Sequence, residues 1–71
     1  MSRYSVKLPH LKEWRKKRYW TQAMLADFAG VNRVTVLMLE NEVYGARIST
    51  VRLLAEVLYI SPQQLVEESP K

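Results

Sequence analysis

The chain has 71 residues, 48% of them hydrophobic, with no cysteine and a single histidine, His10. That allows one small domain and excludes a disulfide framework, a thiolate metal site and a histidine metal cluster. Eleven Lys and Arg against seven acids give a formal charge of +4, a balance that fits a polyanion partner and equally a solvated helix face.

No apolar run approaches the ~20 residues that a membrane helix needs. The stretch MSRYSVKLPH lacks the apolar centre of a signal peptide. The expectation is a soluble, cytoplasmic protein with no cofactor or metal. Two glycines and three prolines punctuate the chain, and helical periodicity runs through it. Residues 1–7 read as an N-terminal arm, 8–66 as one folded domain, and 67–71 as a fraying tail.

Pro9 is placed to open a first helix, because its missing N–H is one of those left unpaired at a helix start. Leu8, Leu11, Trp14 and Arg18 then recur at three- and four-residue spacing, for about three turns. Thr21 is suited to cap a second helix, its hydroxyl accepting an orphan backbone N–H. Leu25, Ala26 and Ala29 form its inward stripe, and Gly30 is free to end it in a left-handed conformation. Asn32 caps a third helix in the same way, with Val36 and Leu39 facing inward and Val31 beside them. NEVYGAR is a loop. A fourth helix begins at Ser49 or just before it, turning Val51, Leu54, Ala55 and Leu58 inward. Ser61 and Pro62 open a short fifth helix.

The predicted fold is therefore all-α: a compact bundle of five helices, with helices two and three meeting across a very short turn at Gly30. This is a helix-turn-helix arrangement, in which one helix braces on a DNA backbone while the next lies in the major groove. Plain bundles also contain such turns.

The segments LKEWRKKRYWTQAMLADFAGVNRVTVLMLENE and ISTVRLLAEVLYISPQQLV carry a family resemblance. From about Leu8 to Val66 the chain resembles the lambda-repressor-like helix-turn-helix family, of the Cro/C1 or XRE type. The signposts are Arg15, Thr21–Gln22, Leu25–Ala26, Gly30–Val31, Val36, Leu39–Glu40–Asn41, Thr50, Leu54–Ala55 and Leu65, specific only in their joint spacing. The resemblance implies a five-helix domain that binds double-stranded DNA, usually as a homodimer.

Carried over by resemblance, Thr21 and Gln22 stand where the family meets a phosphate. Arg33, Val34, Leu37 and Met38 stand where it reads base edges. Asn32, Thr35 and Asn41 stand near backbone phosphates, and Arg47 lies in a loop laid against the DNA. Arg15 and Glu40 match a pair that forms an internal salt bridge. The residues themselves leave other uses open. Gln22 also reads as a solvated helix residue, although a phosphate docks well on a helix start. The Arg33 fork matches guanine O6 and N7, a contact giving ~1–3 kcal/mol of discrimination, yet it also suits a phosphate or open solvent. Trp14 and Trp20 read more readily as core filling than as base-stacking platforms. Tyr59, Ile60, Leu65 and Val66 are the apolar candidates for a dimer surface.

The chain departs from the family pattern in several places. Val34, Leu37 and Met38 replace polar residues on the recognition face, and Met24 and Phe28 do so on helix two, one turn apart. Glu42 stands where a glycine is usual, so Asn41 is expected to take the left-handed position. Arg47 stands where a Ser or Thr usually caps helix four. The apolar recognition face has three explanations: contact with thymine methyl groups, a protein-binding patch, or cover by the segment MSRYSV.

The leading expectation is a sequence-specific regulator, a repressor acting by operator occupancy. The alternatives are an interaction adaptor docking a protein partner through Met24, Phe28, Leu37 and Met38, or the DNA-binding antitoxin of a toxin–antitoxin pair. An enzyme is not expected: the sequence offers no nucleophile–base pair, no acid–base carboxylate pair and no glycine-rich phosphate loop.

Overall fold

The structure, a computed structural model, describes residues 6–66. Five helices follow one another: α1 (Leu11–Lys17), α2 (Gln22–Ala29), α3 (Arg33–Glu40), α4 (Ile48–Leu58) and α5 (Pro62–Val66). The all-α expectation holds, with one addition. Val6 and Ala46 form an isolated antiparallel bridge, each N–H donating to the other's carbonyl at 2.9 and 2.8 Å. This ties the chain ahead of α1 to the loop ahead of α4. Of the segment MSRYSV, suggested as a cover for the recognition face, residues 1–5 lie outside the described residues, and Val6 pairs with Ala46.

The first helix is shorter than its periodicity suggests. Seven residues give two turns, and His10 rather than Leu8 or Pro9 stands at its N-cap. The reason lies in α5. His10 donates its N–H to the Leu65 carbonyl at 3.3 Å, and Leu11 donates to Leu8 at 3.2 Å. Residues 8–10 thus make a turn docked on α5, and Leu8 is driven fully into the core.

The core is aliphatic. Leu8, Leu11, Leu25, Val36, Leu39, Leu54, Leu58 and Leu65 are entirely buried, with Ala26, Ala29, Ala46, Val51 and Ala55 filling between them. Trp14 and Trp20 pack at its edge. The Trp14 indole N–H donates to the Gln64 carbonyl at 3.3 Å, fastening α1 to α5.

Helices α1 to α4 all end in the same device. One residue past α2 and α4, and two past α1 and α3, the backbone turns left-handed, and two N–H groups fold back on the last turn. At Gly30 (φ 73°), Gly30 N–H meets the Asp27 carbonyl and Val31 N–H meets that of Ala26. Tyr19, Glu42 and Tyr59 repeat this pattern at φ 61°, 56° and 59°. A glycine-poor chain thus uses side-chain-bearing residues at positions where glycine is free of strain. The expectation that Asn41 would take the left-handed position is corrected. Asn41 sits at φ −88°, a residue too early for the two return bonds, and Glu42 occupies the glycine position itself.

Candidate nucleic-acid interface

Thr21 and Asn32 set the angle between α2 and α3. The Thr21 hydroxyl accepts the Met24 N–H at 3.1 Å, while the Met24 thioether sits 3.5 Å from the Thr21 N–H. A sulfur thus completes a capping box usually closed by Glu or Gln. Asn32 Oδ1 accepts the Val34 N–H at 2.7 Å. Between the two helices lie only Gly30, Val31 and the Asn32 cap, so α3 leaves α2 at a fixed angle.

One face of α3 is interior. Val36, Leu39 and Glu40 are buried. The opposite side carries Val34 (50% exposed), Leu37 (38% exposed) and Asn41, at i, i+3 and i+7, so it points to solvent. Arg33 is exposed, whereas Thr35 and Met38 are half-buried on its flanks. Arg47 is exposed at the N-cap of α4 and makes no side-chain cap bond.

Behind this face lies a buried polar cluster. Arg15 Nε and Nη2 donate to Glu40 Oε2 and Oε1 at 2.5 and 3.0 Å. Arg15 Nη1 donates to the Trp20 carbonyl at 2.7 Å. Gln22 Nε2 donates to Glu40 Oε1 at 3.0 Å. The Arg15 and Glu40 side chains are 9% and 1% exposed. One carboxylate therefore holds α1, α3 and the first residue of α2 together, and fixes which way Gln22 points.

Two expectations change. Leu65 is completely buried within the monomer, so it has no surface to offer a second copy; it fills the space under the α1 turn. Its neighbours do not form one patch. Val66 lines a shallow apolar groove with Val6, Ile48, Arg52 and Pro62, whereas Tyr59, 86% exposed, and half-buried Ile60 lie outside it. The apolar face of α2 is also partly engaged. Phe28 meets Trp20 edge to face at 4.7 Å, and the Met24 sulfur serves the Thr21 cap.

Sequence reasoning passed over Val43, Tyr44 and Ile48, all exposed. The first two flank the α3 terminus in the loop that ends at Arg47. Lys7 Nζ reaches the Glu42 carbonyl at 3.2 Å, placing another cation near that end. The apolar loop composition of NEVYGAR is the signal that would have drawn attention to Val43 and Tyr44.

The helix-turn-helix family model matches residues 11–65, most of the chain. The chain belongs to the Cro/C1-type helix-turn-helix family. Its fold is that of DNA-binding transcriptional regulators. Among solved structures it is similar to the restriction-modification controller protein C.AhdI from Aeromonas hydrophila. Identity there is 30%, with 84% of this chain and 92% of that one covered and a TM-score of 0.77. It has the fold of the N-terminal DNA-binding domain of SinR from Bacillus subtilis, at 24% identity, covering 87% and 91%, with a TM-score of 0.80. It also resembles part of a hydroxyethylphosphonate dioxygenase, at 25% identity and TM-score 0.72; 96% of this chain aligns there with only 15% of the enzyme. No match is found among curated proteins. No helix among the described residues is long and apolar enough to cross a membrane.

Proposed function

We propose that the protein is a sequence-specific duplex-DNA regulator that represses by occupying an operator. The observation that carries this reading is the outward face of α3, fixed by two side-chain caps and by the Arg15–Glu40–Gln22 cluster, with Arg33 at its leading end. Helix α3 enters the major groove. Thr21, Gln22, Asn32, Thr35, Asn41 and Arg47 approach phosphates, and Arg33, Val34, Leu37 and Met38 approach bases. Phosphate contacts supply salt-dependent affinity, and the base contacts supply the choice of site. The protein takes no cofactor and catalyses no reaction.

Two copies bind a two-fold site, their α3 helices one turn of DNA apart, ~34 Å. With Leu65 buried, the available apolar surface is Val66 with Ile48 at the groove, or Tyr59 with Ile60 at the end of α4. SinR, whose fold this chain shares, has been solved in complex with DNA and also with the SinI protein, so both a duplex and a protein partner are carried into the test below. An adaptor would use Met24, Phe28, Leu37 and Met38, but Met24 and Phe28 already have partners inside the monomer.

The test is selection of bound sequences from a random duplex pool, followed by a gel-shift salt titration. A log–log salt slope reflecting several released counterions supports the reading. Arg33→Ala is expected to relax preference at one base step, and Gln22→Ala to weaken all sites evenly. Failure to retain any duplex at low salt refutes the proposal and leaves the adaptor.

A further inference from the structure

We infer that α3 selects its site mainly through thymine C5-methyl groups, contacted by Val34 and Leu37. The inference rests on the reading above, that α3 enters a major groove, and it names what α3 seeks there.

The argument is an account of the hydrogen-bonding groups on α3 and its caps. Both Glu40 oxygens are occupied, by Arg15 and Gln22, and the side chain is buried. Asn32 Oδ1 is spent on the Val34 N–H. Thr35 is half-buried on a flank. The exposed polar groups left are Arg33 and the Asn32 side-chain NH2 at one end of the helix and Asn41 at the other. Between them, the stretch that faces outward is Val34 and Leu37, with Met38 alongside.

A major-groove edge offers donors and acceptors at every base except for one apolar group, the thymine methyl. Apolar side chains pressed on guanine, adenine or cytosine edges would desolvate donors and acceptors without replacing their partners. Pressed on thymine methyls, they exclude water from both surfaces. The electrostatics fit the same occupant. Arg33 is the one ionic side chain of α3 that is not neutralised within the fold, so the face carries a cation beside its apolar stripe and no free carboxylate.

The geometry is also selective. Val34 is β-branched, and in a helix one rotamer dominates such a side chain, so its methyls are held in place. Leu37 follows about 4.5 Å along the axis, at ~1.5 Å per residue. That matches methyls on neighbouring base pairs, whose spacing is ~3.4 Å. Each half-site should therefore carry two thymines at adjacent or nearly adjacent steps.

The experiment starts from the selected duplex. Each thymine in turn is replaced by deoxyuridine, which removes the methyl and leaves every hydrogen-bonding group intact. At two thymines per half-site the Kd is expected to rise about fourfold, the worth of one buried methyl-sized group. Deoxyuridine elsewhere is expected to be silent. In Val34→Ala, which sits at an exposed position, the penalty at one of the two thymines should shrink. Salt-sensitive duplex binding that no deoxyuridine substitution weakens overturns the inference and leaves the regulator reading standing. Absence of duplex binding overturns the reading itself. The wild-type series is decisive even if the variant fails to fold.

Discussion

Glu40→Ala is the sharpest test of how this small domain is held together. The substitution removes a 1%-exposed carboxylate that accepts three hydrogen bonds. It leaves the Arg15 guanidinium, 9% exposed, with only the Trp20 carbonyl as partner. An uncompensated buried charge of this kind costs ~3–5 kcal/mol. A chain of this length is expected to have a total stability of only ~4–11 kcal/mol, taking ~0.05–0.15 kcal/mol per residue. At ~4–8 °C per kcal/mol for a domain of this size, Tm should fall by about 12 °C or more. The assay is thermal and urea unfolding followed by circular dichroism at the helical band. Arg15→Met and the double exchange Arg15→Met with Glu40→Ala complete a cycle. The double exchange should cost less than Glu40→Ala, because no charge is then stranded. A loss below about 1 kcal/mol for Glu40→Ala, the size typical of an exposed pair, would refute the reasoning. So would a double variant as damaged as the sum of its parts.

Other outcomes follow from particular positions. Gly30→Ala is expected to cost ~1–2 kcal/mol from backbone strain alone, since an added Cβ meets nothing within 4 Å; chemical denaturation checks this. Tyr59→Gly should stabilise the domain by about 0.5–1 kcal/mol by relieving the same strain, since the side chain is 86% exposed and loses little packing; a lower Tm would count against it. Leu65→Ala is expected to destabilise by ~2–5 kcal/mol through a cavity, as equilibrium unfolding would show. Asn32→Ala should cost ~0.5–2 kcal/mol by removing the α3 cap, measured in the same way.

Much of the fold is legible because the caps and the apolar periodicity agree. Thr21, Gly30 and Asn32 each announce a helix end by chemistry that acts within three or four residues, and the structure places them at those ends. The inward stripes of α2, α3 and α4 follow from spacing. What escapes is decided by contacts far apart in sequence. The start of α1 depends on Leu65, more than fifty residues away, which accepts the His10 N–H and turns residues 8–10 out of the helix. For the same reason Leu65, which reads as a surface apolar residue on a short terminal helix, proves to be core. The left-handed Glu42 was hidden because its conformation answers to the two return bonds and not to its own preference. At the candidate site, the exposed face of α3 could be read from period alone, but the tether from Glu40 to Gln22 spans two helices. No local pattern reveals it.

That tether has a further consequence for how the molecule meets a phosphate-rich surface. Glu40 is the sole acid on α3, and on a freely solvated helix it would repel the strands flanking the groove. Turned inward and matched by Arg15, it contributes almost no net field outside. The helix can approach with Arg33 as its uncancelled charge, so the grip that unites three helices also removes a source of electrostatic repulsion before any contact with nucleic acid is made.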